Sequence, residues 1–132
     1  LQYFGQVPHT KVHQIFQKVD MFLYPSLHEG SALTIYEALA SGLPVVTTFN
    51  SGSAVRDRED GFVVPLGDVD AMAGKIRLLY QDRELRIRMG QNARLRARQF
   101  TWEIYRKKLA NFVNEQLVYD SAHVMITKKA FE

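Results

Sequence analysis

The sequence predicts an α/β protein, a parallel sheet with helices on both faces. Two short apolar runs, Met21 to Tyr24 and Val45 to Thr48, have the length and composition of buried strands. Between them Ala32 to Ser41 are helix formers, followed by stop signals in the favoured order, Gly42 at a left-handed cap and then Pro44. The segment is therefore strand, helix, strand, and the crossover rule makes its two strands parallel with a right-handed connection. The helix is nearly all apolar, with Ala32, Leu33, Ile35, Ala38, Leu39 and Ala40, which is the composition of a helix buried between layers.

The remaining elements follow in order. Leu1 to Phe4 reads as a strand and Gly5 to Pro8 as a turn. Thr10 is a candidate cap for a helix with Val12, Ile15, Phe16 and Val19 on its core face, which leaves His9 and His13 to solvent. A metal role for the two histidines has little support, since no third ligand stands at suitable spacing. Pro25 and Ser26 end the first strand of the central unit. After the second, Phe49 to Ser53 is a small polar loop, and Arg56 to Asp60 is a mixed-charge turn expected on the surface. Gly61 to Pro65 is a short strand. Asp68 caps a helix with Val69, Met72, Ile76, Leu79 and Tyr80 on one face, and Asp82 caps the next, Arg83 to about Arg98. That helix has a thin apolar stripe, Leu85, Met89 and Ala93, and arginines at 83, 86, 88, 94, 96 and 98. Thr101 caps the last clear helix, with Trp102, Tyr105, Leu109, Phe112 and Val113 turned inward; the tail, 118–132, has no legible structure.

The composition sets bounds. With 132 residues the chain has room for one core, and its hydrophobic fraction of 46% and charged fraction of 23% are those of a soluble globular protein. No apolar run approaches the roughly 18 to 20 residues of a membrane span. Without cysteine there are neither disulfides nor thiolate metal sites. The net charge of +3 suits an anionic ligand or surface without choosing between them.

The chemistry gathers around the central helix. Thr34, Glu37 and Ser41 share one stripe, and a buried carboxylate there needs a partner or a ligand; an open stripe facing water is the other reading. The amides from Gly30 to about Leu33 precede any intrahelical acceptor and sit at the positive end of the dipole, which makes an anion site. Small residues at Gly30, Ser31 and Ala32 let a phosphate or a sugar approach the backbone. Glu29 and Glu37 are eight residues apart, roughly 12 Å of helical rise with an offset of about 80°. A glycosidase pair needs roughly 5 to 9.5 Å, so these carboxylates suit instead the two hydroxyl-bearing ends of one long ligand. With a diphosphate between them, that ligand has the form of a nucleotide-sugar. In parallel sheets ligands bind beyond the C-terminal strand ends, which puts Pro25 to Leu33 and Thr48 to Ser53 on one rim.

The string PSLHEGSALTIYEALASGLPVVTT is similar to the donor-binding motif of retaining glycosyltransferases of the GT-B fold, the group 1 or GT4-like family. Its hallmark is Glu, seven residues, Glu, here Glu29 and Glu37. The resemblance continues through GFVVPLGD (Gly61 to Asp68), RMGQNAR (Arg88 to Arg94) and QFTWEIY (Gln99 to Tyr105), to about Leu117. It implies a Rossmann-like C-terminal half of a GT-B fold: residues 1–117 as a donor-binding domain lacking its first β/α segment, then the tail 118–132. It implies transfer of a sugar from a nucleoside-diphosphate donor to an acceptor hydroxyl with retention, Glu29 being catalytic, Gly30, Ser31, Ala32 and Leu33 holding the sugar and phosphate, and Glu37 the ribose. No metal and no other cofactor is implied. The implied partners are the nucleotide-sugar and an acceptor domain of the same enzyme, toward which the last helix packs, so the chain alone is expected to show little transfer.

Two motifs depart from the family pattern. Gly30-Ser31-Ala32 stands where Gly-Phe-Gly is frequent, which leaves the donor open, and Ser51-Gly52-Ser53 departs from a Gly-Gly loop followed by Glu. The basic helix 83–98 suits either plain solvation or peripheral contact with acidic phospholipid, in a cytoplasmic protein that is soluble or membrane-associated. Nucleic acid is not expected. Two rival readings are a non-catalytic β/α interaction domain working through that helix, and a GT-B-fold epimerase or phosphorylase.

Overall fold

The computed structural model describes the backbone of residues 3–129 and the side chains of residues 3–116. The chain divides into two compact units, Leu1–Gln99 and Phe100–Glu132.

The first unit is built on three strands, β1 (Phe22–Tyr24), β2 (Val45–Thr48) and β3 (Gly61–Val64), paired in parallel in that order. Phe22 stands beside Val45 and Val45 beside Gly61. Helix α1 (His9–Phe16) precedes β1, α2 (Leu33–Ala40) joins β1 to β2, and α3 (Val69–Gln81) and α4 (Arg83–Ala97) follow β3. The crossover from β2 to β3 has no α-helix; it carries one 3₁₀ turn, Phe49–Ser51, and a tight charged turn.

β2 is the axis of the core. All four of its residues are buried, and successive side chains point to opposite faces. Val45 joins Phe16, Ala32, Ile35, Ala38, Leu39, Leu43 and Ala93 on the α1 and α2 side, while Val46 joins Phe62, Leu79 and Met89 on the α3 side. Helices thus cover both faces, as the apolar composition of α2 required. α4 takes part in both clusters, through Ala93 in one and Met89 in the other. Gly42, at φ +79°, ends α2 in the left-handed cap expected of it. Asp68 and Asp82 accept from the amides of Ala71 and Leu85, both at 2.8 Å, and so cap α3 and α4.

The structure corrects several local expectations. Tyr3 and Phe4 are not in a strand, and Leu1 and Gln2 lie outside the described residues. α1 starts at His9 after Pro8, with no side-chain cap, and Thr10 is already inside the helix. Asp60, expected at the surface, is fully buried; it accepts from the Arg56 amide at 2.6 Å and from Arg56 Nε at 2.8 Å. A buried carboxylate must be paired, and here the charge run supplies its own partner four residues away. Val69 and Tyr80, expected on the face of Leu79, are exposed: Val69 is the first residue of α3, and Tyr80 points about 100° around the helix from the buried Leu79.

The arginines of α4 prove to be partly structural. Arg86 donates to the carbonyls of Leu79 and Tyr80 at the end of α3, Arg94 to that of Ser41 at the end of α2, and Arg96 to that of Ala54. Cations at helix C-termini satisfy orphan carbonyls and oppose the negative end of the dipole. Arg83, Arg88 and Arg98 face solvent.

The second unit contains α5 (Trp102–Lys129), with the Ile104 amide donating to Thr101 Oγ1 at 3.3 Å. Residues 118–129 continue this helix, and 130–132 lie outside the described residues. Trp102, Tyr105, Leu109, Phe112 and Val113, expected inward, are between 45% and 67% exposed. One helix has no second layer of its own with which to cover an apolar stripe.

Candidate functional site

The C-terminal ends of β1 and β2 open onto two loops, Pro25 to Ala32 and Phe49 to Gly52, which are tied to each other. Thr47 and Thr48 sit at the end of β2 with buried hydroxyls that donate to the carbonyls of Tyr24 at 2.8 Å and Ser26 at 2.5 Å. The Glu29 amide donates to the Asn50 carbonyl at 2.9 Å. Gly52, in the left-handed region at φ +58°, lies so close that a Cβ there would stand 2.2 Å from the Gly30 carbonyl oxygen and 2.8 Å from that of Glu29. Only glycine permits both this conformation and this approach. The loop after β2 is therefore a seat for the loop after β1, a role that its small polar composition did not reveal.

α2 begins at Leu33, with Ala32 in extended conformation and no side-chain cap. Among the described residues, no protein acceptor meets the amides of Gly30, Ser31, Ala32, Leu33 or Thr34. Gly30 has open space where a side chain would stand. The opening of α2 thus combines orphan donors, the positive end of the dipole and a bare backbone approach.

Each carboxylate expected at this rim has a protein partner on one oxygen. Glu29 is exposed, and its Oε1 accepts from the Tyr24 hydroxyl at 3.1 Å. Burial first, and then the hydrogen bond and charge of Glu29, push the Tyr24 phenol above its ordinary value of 10.0. Glu37 is 25% exposed on the Thr34–Glu37–Ser41 stripe, and its Oε1 meets His9 Nε2 at 2.5 Å. The stripe is neither sealed in the core nor left to water alone. Ser31 donates to the Tyr36 hydroxyl at 3.1 Å and so remains at the mouth of the helix. Ala32 is buried under the rim, whereas Leu33 is half exposed.

His9 is exposed to solvent, as expected, but it stands at i−3 from Val12 and i−7 from Phe16, and its contact with Glu37 of another helix is what the sequence does not state. Ser51 was also missed: it is fully buried, and its hydroxyl has no hydrogen-bond partner among the described residues. Such a hydroxyl at a rim is an unusual feature, because buried polar groups are nearly always paired.

Comparison with known proteins adds family to geometry. Residues 1–96 match the family described as "Glycosyl transferases group 1". The chain is 31% identical over 116 residues to the D-inositol 3-phosphate glycosyltransferase of Corynebacterium glutamicum (strain R), covering 86% of this chain and 28% of that protein. It is 33% identical over 112 residues to a sulfoquinovosyl transferase of Arabidopsis thaliana, covering 81% and 22%. Among solved structures, sucrose-phosphate synthase from Thermosynechococcus elongatus superposes with a TM-score of 0.79 at 26% identity, over 89% of this chain and 30% of that one. The chain thus spans between about a fifth and a third of the relatives it matches. Its sheet and helices are those of GT-B glycosyltransferases, and with the family match covering most of its length, the chain belongs to the group 1 glycosyl transferases.

Proposed function

We propose that this chain binds the donor, a nucleoside-diphosphate sugar, for a retaining transfer to an acceptor hydroxyl. The observation that carries the reading is the uncapped start of α2, where orphan amides lie between two carboxylates that each keep one oxygen without a protein partner among the described residues. Departure of the leaving group puts negative charge on the diphosphate. Preorganised amides at a helix N-terminus stabilise that charge, and no metal or further cofactor is required for it. Gly30, Ser31, Ala32 and Leu33 hold the phosphate and the sugar. Glu29 contacts the donor sugar as the catalytic candidate, and Glu37 accepts from the ribose hydroxyls. Transfer itself is proposed to need an acceptor half as well, so the chain alone binds donor and transfers little.

Titration of UDP-, GDP- and ADP-sugars, read by calorimetry or NMR with Glu37→Gln as control, tests the reading. Saturable binding to one base, weakened in the variant, is expected; indifference of every ligand to the Glu37 change would sink it. A second, independent reading concerns α4, where Ile87 and Leu95, 45% and 57% exposed, stand among the solvent-facing Arg88 and Arg98. Contact with acidic phospholipid through this face predicts cosedimentation with anionic vesicles that an Arg88→Glu/Arg98→Glu double variant abolishes, with neutral vesicles left in solution by both proteins.

A further inference from the structure

The contact between His9 and Glu37 joins two helices 28 residues apart in sequence at a carboxylate on the rim side of α2. The core sets its geometry. Val12 and Phe16 pack α1 against the cluster that holds Ile35, Ala38 and Leu39, and the stripe through those two residues ends at His9. The imidazole donates from Nε2, because the carboxylate is an acceptor, and it engages Oε1 alone. The Glu37 Oε2 has no protein partner among the described residues.

Stability does not explain this pair. The His9 side chain is 76% exposed, and an ion pair so open to water contributes little to folding. Its effect lies elsewhere. A glutamate on a half-open helix face samples several rotamers, and ordering it opposes ligand binding. Holding one oxygen removes that freedom beforehand while the other oxygen stays available.

We propose that His9 is a positioning residue for donor recognition: it holds Glu37 by Oε1 so that the carboxylate is preset for the vicinal hydroxyls of a ligand's ribose. This rests on the donor-site reading above and adds to it a residue on another element. The chain then reads the sugar of the nucleotide through a two-residue relay from α1 to α2. Among the described residues, the imidazole's hydrogen-bond partner is that carboxylate alone.

The test compares UDP, GDP and ADP with their 2′,3′-dideoxy counterparts on the wild-type chain and on His9→Ala, His9→Gln, Glu37→Gln and the His9→Ala/Glu37→Gln double variant. Circular dichroism checks that each variant is folded. His9→Ala is expected to lower the preference for the ribo over the dideoxy ligand by about threefold to tenfold, the range of one hydrogen bond's net effect. His9→Gln, which retains an N–H donor, is expected to recover most of it. In the double variant, loss of His9 should change nothing further, since its only target is gone. A merely structural His9 would weaken ribo and dideoxy ligands alike, and equal weakening or an unchanged preference overturns the proposal. Wild-type chain that binds none of the nucleotides overturns the donor-site reading, and this inference with it; wild-type binding with a His9-independent preference overturns this inference alone.

Discussion

Gly52→Ala offers a sharp test of how the rim is built, because Gly67→Ala provides a matched control. Both glycines have positive φ, +58° and +77°, so an alanine at either pays the left-handed penalty, about 1 to 2 kcal/mol. At Gly67 nothing lies within 4 Å of the added methyl, and the penalty is the whole effect. At Gly52 the methyl would stand 2.2 Å from the Gly30 carbonyl oxygen, whereas ordinary contact begins at 3.4 Å, so one loop must retreat by about an ångström. Overpacking of that kind adds about 1 to 3 kcal/mol. The obstacle is backbone, which cannot rotate aside as a flexible side chain would. Thermal melts should therefore show Gly52→Ala falling further than Gly67→Ala, by about 3 to 5 °C for each additional kcal/mol. The functional arm is stronger, since the displaced atoms are those of Glu29 and Gly30. A shift of about 1 Å at groups that meet the ligand breaks a hydrogen bond's geometry, and each bond lost lowers affinity by about threefold to tenfold. Calorimetric titration of the donor nucleotide into both variants measures it. Equal melting temperatures together with equal nucleotide affinities would refute the seating role of the loop after β2.

Three further outcomes follow from the same structure. Asp60→Asn should destabilise the first unit by about 1 to 3 kcal/mol, as the buried carboxylate accepts with both oxygens from Arg56 and an amide offers only one, while the half-exposed Arg56 keeps Glu59; chemical denaturation reads this directly. Ser51→Ala should leave stability unchanged or raise it by about 1 kcal/mol, since its buried hydroxyl has nothing to lose; a clear loss in the melt would mean that the hydroxyl has a partner. Tyr24 ionises above 10.0 because the folded state favours its protonated form, so its contribution to stability is intact below that pH and is lost as the pH rises through the folded value. Alkaline ultraviolet titration against Tyr24→Phe isolates this phenol, and Glu29→Gln should bring it part of the way down, burial being the larger cause; no movement in the variant would contradict the Tyr24–Glu29 bond.

The elements that sequence made legible are those specified by neighbours in the chain. β2 falls at Val45–Thr48 as its apolar run required, and Asp68, Asp82 and Gly42 act as the caps their positions implied. The apolar composition of α2 pointed to its burial, which holds for Ile35, Ala38 and Leu39, whereas Leu33 and Ala40 are exposed. What the sequence did not reveal has a different cause. His9 is solvated as its position implied, but its contact with Glu37 lies on another helix, which α1 alone does not state. Asp60 looked solvated because a run of charges usually is; its burial follows from the turn that brings Arg56 back over it. The seat formed by Gly52 was invisible, since no composition signal states which backbone a glycine will meet. Glu29 and Glu37 were conspicuous because their spacing is local, while the groups that hold them, Tyr24 and His9, became evident only in three dimensions.

The placement of β2 has a consequence for how the first unit folds. Val45 and Val46 feed the two clusters in turn, and Ala93 and Met89 of α4 close both of them. Neither cluster is complete until a segment more than forty residues downstream has returned, so the closure entropy falls before either half of the core repays it. Docking of α4 then belongs to the late, concerted part of the reaction. In the native protein the same arrangement denies the two halves separate openings: the amides of β2 should exchange with deuterium only through global unfolding, while those of the Phe49–Gly52 rim exchange through smaller, local fluctuations.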